Sequence, residues 1–298
     1  MSYHHVPVML SEVLEYLQPQ VGDKFIDGTL GGAGYTLAIT KALGPKGKIL
    51  SLDLDDLAIK NAQVEIKRAT LNNVILIQDN FRNLKTIVAE NFPARTKFNG
   101  LVFDLGLSSA QLDDATRGFS FKGERPLEMT FGPQAGKSTV HIVNSYPLLE
   151  LTRIFREYGE EKQAYRIAKA IVEARRNKRI KTTTDLVAII ETVIPPRFFH
   201  KIHPATRVFQ ALRMETNEEL KVLEEVLPLA VELLAPGGRL VVVSFHSGED
   251  RIVKRFFRAA PNLKILTKRP LIPTAEEIAA NLRARSAKLR AAVKLDNF

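Results

Sequence analysis

The sequence predicts an α/β protein: a mostly parallel sheet with right-handed crossovers, interrupted by a mostly helical insertion. Three observations carry that expectation. Short β-rich runs alternate with helical patterns four times between Lys24 and Leu105. A turn with four glycines in seven positions, Gly28 to Gly34, joins the first β run to the helix after it. Beyond Asp104 the alternation stops, and it resumes only near residue 214.

Taken in order, Val8 to Leu17 is amphipathic and opens the chain as a helix, and Pro19 and Gly22 lead into a strand ending on Asp27. The helical pattern Leu37, Ile39, Ala42, Leu43 follows the glycine turn, and Lys48 to Leu54 is the second strand. A helix over 56–68, a strand over 74–78, a helix to Phe92 and a strand over 100–105 complete the first part. Connections of this kind place a ligand crevice at the carboxyl ends of the strands. Asp27, Asp53, Phe81 and Asp104 all fall on that edge.

Residues 113–136 are rich in glycine, proline and charge, and helical segments follow near 138–158, 160–178, 183–193 and 203–213. In 163–178, Ala164, Ile167, Ala168, Ile171 and Ala174 make one stripe, and Arg166, Lys169, Glu173 and Arg176 make the opposite one. The α/β pattern returns with a helix over 218–234, a Pro236-Gly237-Gly238 turn and a β run from Arg239 to Phe245. His246-Ser247-Gly248-Glu249-Asp250 opens a basic helix, and a strand pair near 263–267 and 287–293 flanks a helix over 274–282. The expected division is therefore 1–112 and 214–298 for the α/β domain, with 113–213 inserted.

At 298 residues and 45% hydrophobic composition the chain can bury a full core. It shows no signal-peptide pattern and no apolar run long enough for a bilayer, so a cytoplasmic protein without a membrane partner is expected. The absence of cysteine removes disulfides, thiolate zinc sites and Cys-ligated clusters, and no metal site is predicted. It also removes the thiolate that enzymes methylating pyrimidine carbon 5 require. The net charge of +10 is concentrated: 14 Lys/Arg against 6 Asp/Glu in 151–213, and 12 against 3 in 251–298. Two basic blocks are the footprint of a polyanion binder.

Glycines in the 28–34 turn let the backbone approach a ligand, and the helix behind them offers unpaired N–H groups. Asp53 lies 19 residues beyond Gly34, near the spacing of about 20 at which βαβ nucleotide sites carry a ribose-binding acid. A nucleoside cofactor follows, of either of two kinds. A dinucleotide would set its pyrophosphate on the loop, where Asp27 is unwelcome, whereas S-adenosylmethionine would set a zwitterionic methionine there with Asp27 beneath its ammonium.

The octet Asp104-Leu105-Gly106-Leu107-Ser108-Ser109-Ala110-Gln111 stands where an open sheet puts its chemistry. A base's exocyclic amine is a poor nucleophile, so methylating it needs hydrogen-bond acceptors and in-line placement of the donor. Asp104 can serve as such an acceptor, or as a plain strand-end cap.

Nine blocks together resemble the bacterial small-subunit ribosomal RNA cytosine-N4 methyltransferase H family. They are His5-x-Pro-Val-Met-Leu, Asp27-Gly-Thr-x-Gly, Asp104-Leu-Gly-x-Ser-Ser-x-Gln-Leu-Asp, Arg117-Gly-Phe-Ser-Phe, Tyr158-Gly-Glu-Glu, His203-Pro-Ala-Thr-Arg-x-Phe-Gln-Ala-Leu-Arg, Leu234-Ala-Pro-Gly-Gly-Arg-Leu, Ser244-Phe-His-Ser-x-Glu-Asp-Arg and Arg283-Ala-Arg-Ser-Ala-Lys-Leu-Arg. The resemblance implies a class I S-adenosylmethionine-dependent methyltransferase fold of Rossmann-like type. It also implies methyl transfer to N4 of a cytidine in 16S rRNA at the decoding centre of the small ribosomal subunit; the sequence leaves monomer and homodimer both open. The family's cofactor contacts fall on Ala33, Gly34, Tyr35, Asp53, Phe81, Asp104 and Gln111, with Asp104 the catalytic candidate. The insertion, with Arg207 and Arg213, becomes the RNA-recognition domain. This chain departs from the family's usual pattern at Ala33-Gly34-Tyr35 (Gly-Gly-His), at Glu128-Met129-Thr130-Phe131 (Asp-Met-Arg-Met) and at Gly248 (leucine).

Two rivals differ in class. Gly28-x-x-x-Gly32-x-Gly34 with Tyr165-x-x-x-Lys169 is similar to the cofactor loop and catalytic pair of short-chain dehydrogenases, although Tyr165 is expected on the apolar stripe. A non-catalytic ribosome-assembly factor would keep the fold and bind RNA alone. His203 reads as a helix-start residue, Arg117 as a loop anchor, and His246 as either a structural histidine or a neighbour of the pocket.

Overall fold

The computed structural model describes residues 7–108, 111–112, 114, 116–121, 123–132, 137–194 and 203–296. The chain forms two compact units, one made of Met1–Ser108 with Leu220–Phe298, the other of Ser109–Glu219. Of the expected boundaries, 213 falls inside a helix (Pro204–Thr216), and the division comes at its far side.

In the first unit, β1 (Lys24–Asp27), β2 (Lys48–Asp53), β3 (Val74–Gln78), β4 (Phe98–Asp104), β5 (Leu234–Ser244), β6 (Leu263–Ile265) and β7 (Lys288–Lys294) form one sheet, ordered β3-β2-β1-β4-β5-β7-β6. β1 to β5 pair in parallel, and β7 runs antiparallel to both its neighbours. The order reverses between β1 and β4, and a crevice opens at such a switch point. Helices α1 (Leu10–Leu17) and α2 (Gly34–Leu43) cover one face, over Phe25, Ile49, Val102, Val241 and Val243. The alternate residues Ile26, Leu50, Leu52, Leu101, Phe103 and Val242 form the other core, to which α4 (Leu84–Asn91), the helix over Glu219–Leu233 and the one over Ser247–Ala259 contribute. Period two along each strand thus sorts the residues of a doubly covered sheet. α3 (Asp56–Arg68) adds Ile59 and Ala62 to a small cluster with Leu30 and Ala33.

The expected turn at 236–238 lies inside β5. Phe98 pairs with Leu234 and Gly100 with Arg239, so Ala235-Pro236-Gly237-Gly238 loops out of the ladder, with Gly237 at φ 72. A Cβ on Gly238 would stand 2.9 Å from the Phe98 carbonyl oxygen, which is why the loop closes on glycine.

The second unit is helical: α5 (Thr139–Ser145), α6 (Leu148–Glu157), α7 (Ala164–Asn177), α8 (Thr183–Val193) and α9 (Pro204–Thr216). The helix Glu219–Leu233, which starts on the last residue of the second unit, is α10, and Ser247–Ala259 and Ala275–Ala280 of the first unit are α11 and α12. The stripe read from α7 is buried at Ala164, Ile167, Ala168 and Ile171, while Ala174 is half-buried. Tyr165 corrects the expectation: it is 50% exposed, off the apolar stripe. Arg213 corrects another. It forms a two-point ion pair with Glu219 at 2.7 and 2.9 Å, so it is committed within the unit rather than extended toward a phosphate. The Glu128–Phe131 stretch is pinned by Asn217, which accepts from Phe131 N–H at 2.9 Å and donates to the Met129 carbonyl at 2.8 Å.

Candidate active site

Strand register brings the acids together. Asp27 pairs across with Ser51 of β2 and Val102 of β4, so Asp53 and Asp104 each stand two residues further along the flanking strands. Residues two apart point to the same side of a sheet. All three carboxylates therefore share the α2 face at the carboxyl edge, with Asp27 one step deeper.

Asp27 is fully buried, and three donors hold it: the Thr29 N–H at 3.1 Å, the Thr36 hydroxyl at 2.7 Å and the Thr36 N–H. Thr36 in turn meets the Ser51 hydroxyl at 2.8 Å. Asp53 accepts from the Gly31 N–H at 2.8 Å and the Asp55 N–H at 2.9 Å, which fastens the glycine turn to the end of β2. Asp104 donates its own N–H to the Thr29 hydroxyl at 2.5 Å, while its Oδ1 is buried with no hydrogen-bond partner among the described residues. The residues the sequence reading missed are Thr29, Thr36 and Ser51. Two signals stood in the sequence: Thr29 lies within the Asp27-Gly-Thr block, and Ser51 is a polar residue in an otherwise apolar strand.

Burial dominates the electrostatics. It pushes the Asp27 and Asp53 carboxyls up to about 6 against the lowering by their hydrogen bonds. Asp104 is raised well above the usual range by burial first, then by Asp27 and Glu249. Three carboxyls whose ionisation is suppressed in one place make a site that a cation would relieve, and a pyrophosphate would meet repulsion there. The folded state keeps the Asp27 and Asp53 protons to higher pH than the unfolded chain does. Stability of the ligand-free protein should therefore fall as pH rises from about 4 to about 6 and then level off. Binding of a cationic ligand should show the opposite trend and weaken as pH drops through about 6, toward tenfold per unit for each proton displaced. Chemical denaturation between pH 4 and 8 checks the first sign, and calorimetric titration with the ligand over the same range checks the second.

The glycine turn ends on Ala33, whose φ of 64 is left-handed and whose N–H is already given to the Leu30 carbonyl at 2.7 Å. Ala33 therefore shapes the turn rather than offering a donor. Gly34 and Tyr35, the first two residues of α2, have no intrahelical acceptor for their N–H groups. The Tyr35 ring is buried, and its hydroxyl donates to the Val8 carbonyl, so only its backbone can serve a ligand. Left-handed alanine is strained. Ala33→Gly should consequently raise stability by roughly 0.5–1 kcal/mol, after the added chain entropy is deducted, as read from chemical denaturation.

Phe81 follows the end of β3 in a short 3₁₀ turn capped by Asn80, half-buried, with its ring 5.4 Å from that of Phe103. Gln111 belongs to the second unit and is 6% exposed there. His5, Ser109, Ala110 and Asp113 of the sequence blocks lie outside the described residues. His203 and His246 are both helix caps. The Nδ1 of His203 accepts from the Ala205 N–H at 3.1 Å, and that of His246 accepts from Gly248 and Glu249 N–H at 3.1 and 3.3 Å. Arg117 pairs with Asp114 at 3.4 Å, and its carbonyl receives the Met129 N–H, as a loop anchor does.

Parallel strands in the order 3-2-1-4-5, extended by a reversed β7 between β5 and β6, make this a class I S-adenosylmethionine-dependent methyltransferase fold. A crystal structure of an rRNA-methylase candidate from Clostridium thermocellum shares it, with a TM-score of 0.50 at 14% identity over 98% of this chain and 100% of that one. The chain belongs to the MraW methylase family, whose model matches residues 2–295. It is 44% identical over 315 residues to the ribosomal RNA small subunit methyltransferase H of Heliobacterium modesticaldum, covering 99% of this chain and 100% of that one. Its likeness to the protein of that name from Thermomicrobium roseum is 44% over 313 residues, covering 99% and 95%.

Residues and cofactor suit each other. The sulfonium and ammonium of S-adenosylmethionine are the charges that a triple-acid rim accommodates, and the orphaned Asp104 oxygen awaits a partner. The protein is a methyltransferase using that cofactor.

Proposed function

We propose that this enzyme methylates 16S rRNA of the small ribosomal subunit, at the exocyclic N4 of a cytidine near the decoding centre. Family membership and relatives named for the small-subunit RNA support the substrate. The single observation that supports an amine target is the buried Asp104 oxygen without a partner, an acceptor placed on the rim. Bound S-adenosylmethionine supplies an electrophilic methyl group. Gly34 and Tyr35 would direct their N–H groups to its carboxylate, with Asp27 beneath the ammonium. Asp53, whose oxygens each keep a lone pair after accepting from the loop, would take the ribose hydroxyls, and Phe81 would wall the adenine. Asp104, ionised once positive charge enters beside it, would accept a hydrogen bond from the target amine and aim its lone pair. Gln111 would fix the cofactor or the base by its amide. Ala33, the remaining residue of the contact set, would act through the shape of the turn.

A paired N4 is inaccessible, so the base must be single-stranded or flipped. The helical unit, over 113–213 as the sequence divides it, is proposed to hold the flanking RNA. Arg207 is 42% exposed, beside Glu161 at 3.8 Å, and is better placed than Arg213 for that task. The reaction is proposed to run in the cytoplasm, where small ribosomal subunits are found; among the described residues no helix is long and apolar enough to cross a membrane. Incubation with labelled S-adenosylmethionine and unmodified small subunits, followed by nucleoside analysis, should give N4-methylated cytidine. Label on carbon 5, or on protein, would overturn the assignment.

A further inference from the structure

α11 (Ser247–Ala259) leaves β5 at the catalytic edge: Val243 is the register partner of Asp104, and the helix begins after His246. Its apolar residues Ile252, Val253, Phe256 and Phe257 pack into the sheet's core. At about 100° per residue, Arg251, Lys254, Arg255 and Arg258 fall together on the opposite side within an arc of roughly 100° that carries no acid. The three arginines are exposed and Lys254 is half-buried.

Several other surface cations are laced to acids. Lys60 meets Asp56 at 2.5 Å, Lys85 meets Glu232 at 3.0 Å, Arg153 meets Glu150 at 3.0 Å, and Lys178 meets Asp185 at 3.0 Å. The four cations of α11 have no such partner among the described residues. Four uncompensated charges on one stripe, about 10 Å from Arg251 to Arg258, form a track for a polyanion whose charges repeat along a line. The track starts about one turn from the rim that holds Asp104.

We infer that the outer face of α11 is an RNA-backbone docking surface of the methyltransferase unit itself, which takes phosphates of the strand carrying the target base. This rests on the rRNA reading above and adds a surface separate from the helical unit. The test is the double charge reversal Arg255→Glu/Arg258→Glu in the full chain. The readouts are KM and kcat with unmodified small subunits across 50–300 mM salt, and calorimetric affinity for S-adenosylmethionine. KM should rise about tenfold, and the slope of log KM against log salt should flatten by about 1.4–1.8 for two lost phosphate contacts. Both kcat and cofactor affinity should hold. The control reversal Lys67→Glu/Arg68→Glu, at the exposed end of α3, should leave KM and slope near wild type. An unchanged KM and slope in the α11 variant, or an equal loss in the α3 control, would overturn the inference. So would loss of binding to phosphatidylglycerol vesicles with RNA kinetics intact, which would reassign the stripe to a lipid surface. A wild-type enzyme that fails to methylate small subunits would instead defeat the rRNA reading.

Discussion

Asp104→Ala should lower methyl transfer to small subunits by at least about 100-fold, the range of a positioned proton acceptor, while the protein stays folded. Fold and function separate here because the structural work at residue 104 is done by its backbone, whose N–H reaches the Thr29 hydroxyl whatever the side chain. The carboxyl itself has a buried oxygen without a partner, and burial with two neighbouring acids holds its pKa well above the usual range. Removing it relieves a desolvation cost in the ligand-free state, so resistance to denaturant should stay level or rise. Active sites commonly carry such a local cost for the sake of a later partner. Methyl incorporation measured beside urea unfolding decides the matter. A variant that loses activity and stability together would mark Asp104 as a structural cap.

Gly28→Ala should destabilise the enzyme by about 3 kcal/mol, near the top of the range for overpacking a core. A Cβ at position 28 would stand 2.3 and 2.5 Å from two ring atoms of Phe103, closer than such contacts occur. That ring has no room to retreat, being fully buried and in contact with Phe81 at a centroid distance of 5.4 Å. The displacement should pass through Phe103 to Phe81 and weaken S-adenosylmethionine binding along with the fold. Shrinking the obstacle should restore both, so Gly28→Ala/Phe103→Leu is expected to be more stable than Gly28→Ala alone. If the double variant shows no such coupling, the ring contact is not the cause.

Different parts of the molecule were legible to different degrees, for physical reasons. Helix α3 and strands β1 and β3 stand at the residues their periodicity marks, because burial on one or both faces imposes a strict spacing. Strand β5 begins five residues earlier than the β run suggests, since Pro236-Gly237-Gly238 is a turn by composition and a bulge only by virtue of the neighbouring β4. Tyr165 lies off the apolar stripe of α7 because, although it follows Ala164 in sequence, it stands about 100° further round the helix.

By itself the sequence determined where each acid stands: Asp27 ends its β run, Asp53 and Asp104 fall one residue before the ends of theirs, and alternation then fixes the face of each. Only the tertiary structure decided what each group is free to do. Gly31 N–H reaches Asp53, Leu30 takes the Ala33 amide, Val8 takes the Tyr35 hydroxyl and Glu219 takes Arg213. Periodicity is a property of one segment, whereas a hydrogen bond consumes a partner that a distant segment brings. The donors and acceptors left over for a ligand, Gly34 and Tyr35 N–H and the Asp104 oxygen, become known only when the folded chain has claimed the rest.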